Sequence, residues 1–294
     1  MKNNVLKGSL FIALGATSYG MLATFVKMAY LEGFTTAEVT ISQYGLGFIG
    51  LLILNLFRKE KTILKPETSN LKSTFRLIFA GTSLGLTSTF YYLSVQYISV
   101  SVAIVLLMQT VWMGVIFEIA VHKKMPGLRK IISVFIILAG TFLATNLFQE
   151  SVIINWKGFL FGILAAMSYT ATMYSSNHVE LHFPPLKRSL FMIIGGCIVV
   201  AFIFNTSINS DFSFAVILRW GILLSLFGTI LPPLLFTKGM PLTGMGLGAI
   251  IASVEIPVSI AIAYIFLDEP VSFLQWIGVI LILFAVAFMN LQKR

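Results

Sequence analysis

Charge is scarce in this sequence. Only 11% of its 294 residues are Asp, Glu, Lys or Arg, where a soluble domain carries roughly 25%. With 57% hydrophobic residues and a mean hydropathy of +0.94, that shortage excludes a water-soluble fold, which would have to hide far more apolar surface than its interior holds. Cysteine is nearly missing. The single Cys197 excludes an internal disulfide and leaves the redox compartment unread. Histidine is limited to His122, His178 and His182, all in or beside segments that read as loops. An intramembrane enzyme would need a nucleophile and base, or metal ligands, at membrane depth. None is provided, so no catalytic residue, cofactor or metal is expected; His178-Val-Glu-Leu-His182 lacks the His-Glu-x-x-His order of a zinc helix. No stretch is left over for a soluble domain, which disfavours a receptor or scaffold.

What is present is a succession of apolar runs of about 20 residues, each long enough to cross a hydrocarbon core as a helix. They predict ten helices at roughly 8–29, 36–57, 76–97, 99–121, 128–147, 157–178, 187–206, 215–238, 242–267 and 272–291. The longest connection, from Arg58 to Phe75, is charged, contains Pro66 and reads as a loop. A net charge of +9 is compatible with a nucleic-acid partner, but the basic residues sit in short loops between apolar runs. With ten crossings they divide 17 against 3 between the two faces, Lys27, Lys157 and Arg219 alone on the sparse side. That asymmetry predicts a multi-pass inner (plasma) membrane protein with both termini cytoplasmic, a lipid bilayer as its solvent and no nucleic-acid partner.

The chain also repeats itself. The segment Lys7–Tyr19 aligns without gaps on Lys157–Tyr169, with Lys, Gly, Leu, Phe, Leu, Ala, Ser and Tyr coinciding, and Gln109-Thr-Val111 falls on Glu255-Ile-Pro257. Two five-helix units, 1–149 and 150–294, follow. Because five is odd, the second unit enters the membrane from the opposite side. The fold class predicted is an all-α polytopic membrane protein of ten helices in two inverted repeats, an architecture that puts a transport site near the midplane.

Two features resemble the EamA-type, ten-helix branch of the drug/metabolite transporter superfamily. One is the doubled small-residue opening helix; the other is the stretch from Glu255 through Asp268-Glu-Pro to Gln275-Trp-Ile-Gly278. The family pattern there has Glu-Pro in helix 9, a Leu-Gly-Glu turn and a Gln-Trp-x-Gly start to helix 10. This chain inserts Ile256 between Glu255 and Pro257, has Asp268 in place of the usual glycine, and carries Gln109 and His122-Lys-Lys in the first half. The resemblance implies efflux or exchange of a small-molecule substrate by alternating access, through a central cavity between predicted helices 1, 3, 4, 6, 8 and 9.

Within that frame Glu255 is the leading candidate, an acid near the centre of its predicted helix where ionisable groups are costly and functional by default. It either pairs with a cationic nitrogen of the cargo or carries a proton in a coupled cycle; the plainer alternative is a hydrogen-bonded Glu that only joins helices. Ser259 lies one turn on. Pro257 removes a backbone donor and predicts a kink near residue 253. Gln109 is the repeat partner of Glu255 and shares a face with Ser101 and Trp112, while Ser83, Thr87, Tyr91 and Ser94 stripe predicted helix 3. Such stripes either line a cavity or bond between helices. Tyr19 and Tyr169 are matched by the repeat, and Thr170 with Tyr174 extends the second set. Pro232-Pro233 predicts a break or hinge in helix 8. Glu118 reads as an interfacial ion pair with Lys123 or Lys124. Basic residues sit at helix ends, with Lys238 alone placed near a cavity floor. A neutral, zwitterionic or cationic cargo, such as an amino acid, amine or drug, is therefore favoured over a phosphorylated metabolite or nucleotide sugar.

Overall fold

A computed structural model describes residues 2–57, 71–98, 100–123, 125–145, 155–208, 212–268 and 270–290. Outside them lie Arg58, Lys59, Lys61, Lys65, Pro66, Lys124, the repeat junction at Gln149–Glu150, Asp211, Glu269, Lys293 and Arg294, together with the side chains of Ser101 and His122.

The described residues are helical, with no strand among them. The first repeat holds α1 (Lys2–Leu31), α2 (Thr36–Phe57), α3 (Leu71–Val95), α4 (Val100–Leu107), α5 (Thr110–His122) and α6 (Leu128–Ala144). The second holds α7 (Trp156–His178), α8 (Pro185–Ile203), α9 (Ile222–Ser225), α10 (Leu231–Thr243), α11 (Met245–Ala252), α12 (Glu255–Leu267) and α13 (Phe273–Asn290). Ten crossings account for them, because the fourth is split into α4 and α5, the eighth into α9 and α10, and the ninth into α11 and α12. Among the described residues, six stretches are long and apolar enough to span a membrane by themselves.

Three sequence expectations need correction. Helix 4 is not continuous: it is interrupted at Met108–Gln109, with no proline or glycine there to announce it. The eighth helix runs through to Thr243, so Lys238 lies inside α10 and not at its end. The seventh begins at Pro185, a residue suited to a first helical turn because it has no N–H to leave unpaired. Arg188, expected at the exposed end of that helix, is thereby drawn inward to a position only 2% exposed.

Local chemistry fixes the helix starts. Thr35 and Glu38 form a capping box at α2: the Glu38 N–H donates to Thr35 Oγ1 at 3.3 Å, and the Thr35 N–H donates to Glu38 Oε2 at 2.7 Å. The other oxygen of Glu38 accepts the Ser213 N–H at 2.5 Å, tying the opening of α2 to the second repeat. The repeats interleave, α3 against α7 and α8, and α1 against α10 and α12. At the α3–α8 crossing a side chain on Gly81 would strike the Met192 backbone and one on Gly195 the Ile78 carbonyl, so only glycine admits that approach. A core of Ile12, Ala16, Met173, Phe236, Met240 and Ala249 fills the centre toward the face that carries the start of α1.

Candidate functional site

A cavity of about 500 Å³ lies between α1, α3, α4, α7 and α12. At its inner end are Tyr19, Met108, Tyr169, Glu255 and Ile256; at its other end are Phe34, Thr35 and Thr36 of the α1–α2 turn, and Gln96. The cavity thus runs from the middle of the molecule to the face opposite the start of α1. Toward the α1-start face it is stopped by the central core, whose Phe236 ring sits 5.8 Å from the ring of Tyr19.

The floor is built where two helices break. In the ninth crossing Pro257 brings no N–H to the carbonyl of Ser253, and the Ile256 N–H takes it instead at 3.1 Å. The Ser253 hydroxyl turns back onto the Ile250 carbonyl at 2.7 Å. Glu255 is left as the first residue of α12, half-buried and lining the cavity. The Tyr169 hydroxyl donates to Glu255 Oε2 at 3.4 Å, and the rings of Tyr19 and Tyr169 meet edge to face with centroids 6.1 Å apart. The two tyrosines matched by the repeat are thus neighbours across the pseudo-twofold, with the carboxylate beside them.

Of the residues singled out from sequence, Glu255, Ser259, Tyr19, Tyr169, Thr87 and Tyr91 line this cavity. The helix 3 stripe divides. Ser83 bonds Thr172 Oγ1 at 2.8 Å and the Ser94 hydroxyl donates to the Gly158 carbonyl at 2.8 Å, so both fasten α3 to α7. Gln109 and Trp112 are placed on each other: the indole N–H donates to Gln109 Oε1 at 2.7 Å, and the Gln109 amide donates to the Val105 carbonyl at 2.9 Å. Thr170 bonds Thr110 at 2.8 Å behind the floor. Tyr174 packs on Phe117 and stacks on His178, each at 4.7 Å. Pro232 and Pro233 are buried in the first turn of α10, directly after a π-helical turn at Leu226–Ile230. Wide turns of that kind accommodate carbonyls that have lost their i+4 donor. Glu118 pairs with Lys130 of α6 at 2.8 Å, not with Lys123, whose backbone is the left-handed cap of α5.

Sequence reasoning missed part of the wall. Lys27 lines the outer part of the cavity, as do Tyr30, Ser88, Tyr92 and Gln96. Lys27 was assigned to a helix end; counting from Tyr19, two turns of α1 place it above the floor on the same wall. Among the described residues lining the cavity, Glu255 is the one acid and Lys27 the one base.

A broken-helix bundle of ten crossings around an acid-floored central cavity is the build of a polytopic membrane transporter. The chain matches the EamA-like transporter family over residues 6–146 and again over 156–291, and it belongs to that family. No curated protein matches it. Among solved structures it is similar to a crystal structure described only as that of a protein, with a TM-score of 0.78 at 14% identity, covering 98% of each chain; this likeness supports the fold alone.

Proposed function

We propose that the protein exports or exchanges a small neutral, zwitterionic or cationic organic metabolite by alternating access, with Glu255 as the polar determinant of the cargo site. The observation that carries this reading is the position of Glu255 as the one carboxylate lining the cavity, at its floor, with Tyr169 as its partner. An ammonium group seated there has a carboxylate to pair with, and the aromatic rings of Tyr19 and Tyr91 line the same cavity, a composition that favours cations. Lys27 toward the mouth gives a zwitterion a second anchor. A phosphate ester would need more than that single cation to offset its charge, so phosphorylated cargo is the weaker subclass.

The orientation follows from the basic-residue split: both termini in the cytoplasm and the cavity facing outward across the inner (plasma) membrane. The two repeats are 1–149 and 150–294, and Pro257, Pro232 and Pro233 mark the hinges, since each leaves a helix short of a backbone donor where it has to bend. Transport into sealed vesicles by the wild type and Glu255→Gln tests the site. Loss of transport by a variant that still inserts and folds supports it; normal transport at every pH removes Glu255 from the mechanism. If binding survives in Glu255→Gln while pH-gradient-driven accumulation is lost, the carboxylate is a proton carrier and not the cation's partner.

A further inference from the structure

At the end of the molecule opposite the cavity mouth, Arg188 is the largest fully buried side chain among the described residues. Its guanidinium spends itself on backbone carbonyls. Nε donates to the Val179 carbonyl at 3.1 Å, and Nη2 to those of Ser175 at 3.2 Å and Ser176 at 2.7 Å, all in the last turn of α7 or at its C-cap. Nη1 reaches a different helix and donates to the Thr237 carbonyl of α10 at 3.1 Å. That carbonyl is special. In an α-helix it would accept the N–H of residue 241, but residue 241 is proline, inside α10, and has none. Arg188 supplies the donor that Pro241 withholds. Asn177, its amide oriented to suit its neighbours, adds a parallel tie by donating to the Met240 carbonyl and accepting the Met245 N–H, each at 3.0 Å.

These ties cross the path that the cavity lacks. Between the floor and the α1-start face stand Met173 of α7 and Phe236 and Met240 of α10, so opening that face requires α7 and α10 to separate. We propose that Arg188 and the proline-freed carbonyl of Thr237 form the latch of this second gate. Arg188, on α8, stays with the end of α7 through its three other bonds, and its Nη1 bond to α10, with the neighbouring Ser189–Thr237 hydroxyl bond at 3.0 Å, is made when the gate is shut and broken when it opens. This rests on the alternating-access reading but needs no knowledge of the cargo.

The test uses full-length protein in sealed vesicles, with Cys197→Ala and one reporter cysteine at a time. Ala16→Cys sits beneath the floor, three residues from Tyr19 toward the closed face; Ser88→Cys lines the open cavity. A membrane-impermeant maleimide is applied from each side. Arg188→Lys keeps the charge but loses the fork, and Pro241→Ala returns an N–H to Thr237 and so competes with Arg188 for its carbonyl. Each should raise labelling at Ala16→Cys from the closed side by about 2- to 10-fold, the shift that one lost hydrogen bond gives a two-state equilibrium. Labelling at Ser88→Cys from the other side should fall in step. Pro241→Ala matters most, because a proline-to-alanine change inside a helix leaves the helix at least as stable. Unchanged labelling in both variants overturns the latch. A rise at both reporters together also overturns it, since that is general loosening. Because no cargo is used, a failure of the Glu255 reading leaves this result standing.

Discussion

The fourth and ninth crossings are repeat equivalents, and both break near the midplane, yet only one presents its polar residue to the cavity. At the first break Gln109 has both a donor and an acceptor. It gives the donor to the Val105 carbonyl freed by the break and the acceptor to Trp112, and is satisfied locally. At the second, Glu255 as a carboxylate has nothing to offer a carbonyl. The freed acceptors there are served by Ser253 and by the shifted N–H of Ile256, while the acid turns to the cavity and Tyr169. On the proposed reading a duplicated fold yields one site because an amide can satisfy itself and a carboxylate needs a partner.

The sharpest way to break that comparison is Glu255→Gln, which gives the second break the chemistry of the first. Transport should fall by more than about 30-fold, in line with the 2 kcal/mol or more that truncating one partner of a buried charged pair costs. Rates in reconstituted vesicles, with folding checked by helical content and thermal melting, are the measurement. Tyr169→Phe comes next. Removing the hydroxyl that donates to Glu255 should lower transport by about 2- to 10-fold, one hydrogen bond's worth, without changing expression.

The ten crossings and their inversion were legible because apolar runs, loop charges and repeat spacing are one-dimensional signals, as was Glu255, whose charge stands alone in its run. The α4–α5 break was not, since it has no proline and rests on Gln109 folding back on its own helix. Arg188 beside Lys187 after Pro184-Pro185 reads as a helix-end charge; one of the carbonyls that hold it, that of Thr237, is freed by Pro241, more than fifty residues away. Lys27 was legible as a helix-end cation but not as a cavity wall, because the face it presents is set by the packing of α1 on α12. The stripe of predicted helix 3 shows the same limit: periodicity groups Ser83, Thr87, Tyr91 and Ser94, and only the neighbouring α7 decides which of them bond between helices.

Gln109→Leu sharpens the comparison from the other side. It strips the amide from the first break and leaves the Val105 carbonyl and the Trp112 N–H without their present partners, a cost of about 1–3 kcal/mol in stability. The melting temperature should drop, while transport per folded molecule stays within about 2-fold of wild type, below the single hydrogen bond expected of Tyr169. Abolished transport with an unchanged melt would place Gln109 in the cargo site after all.

The smallest effect expected is that of Trp112→Phe. The indole N–H donates to Gln109 Oε1, but the ring also packs beside Val111, Val115, Val134 and Ile137. Phenylalanine keeps most of the apolar contact and removes only the donor, leaving Gln109 with its amide still on Val105 and an acceptor that a water or a shifted rotamer can serve. The cost should be about 0.5–1.5 kcal/mol of stability, with cargo affinity untouched, because the residue acts on the break and not on the cavity. Cargo binding to the purified variant, measured beside its melt, separates the two: a weakened affinity at equal stability would mean that the first break reaches the cargo as the second does, and the asymmetry between the halves would disappear.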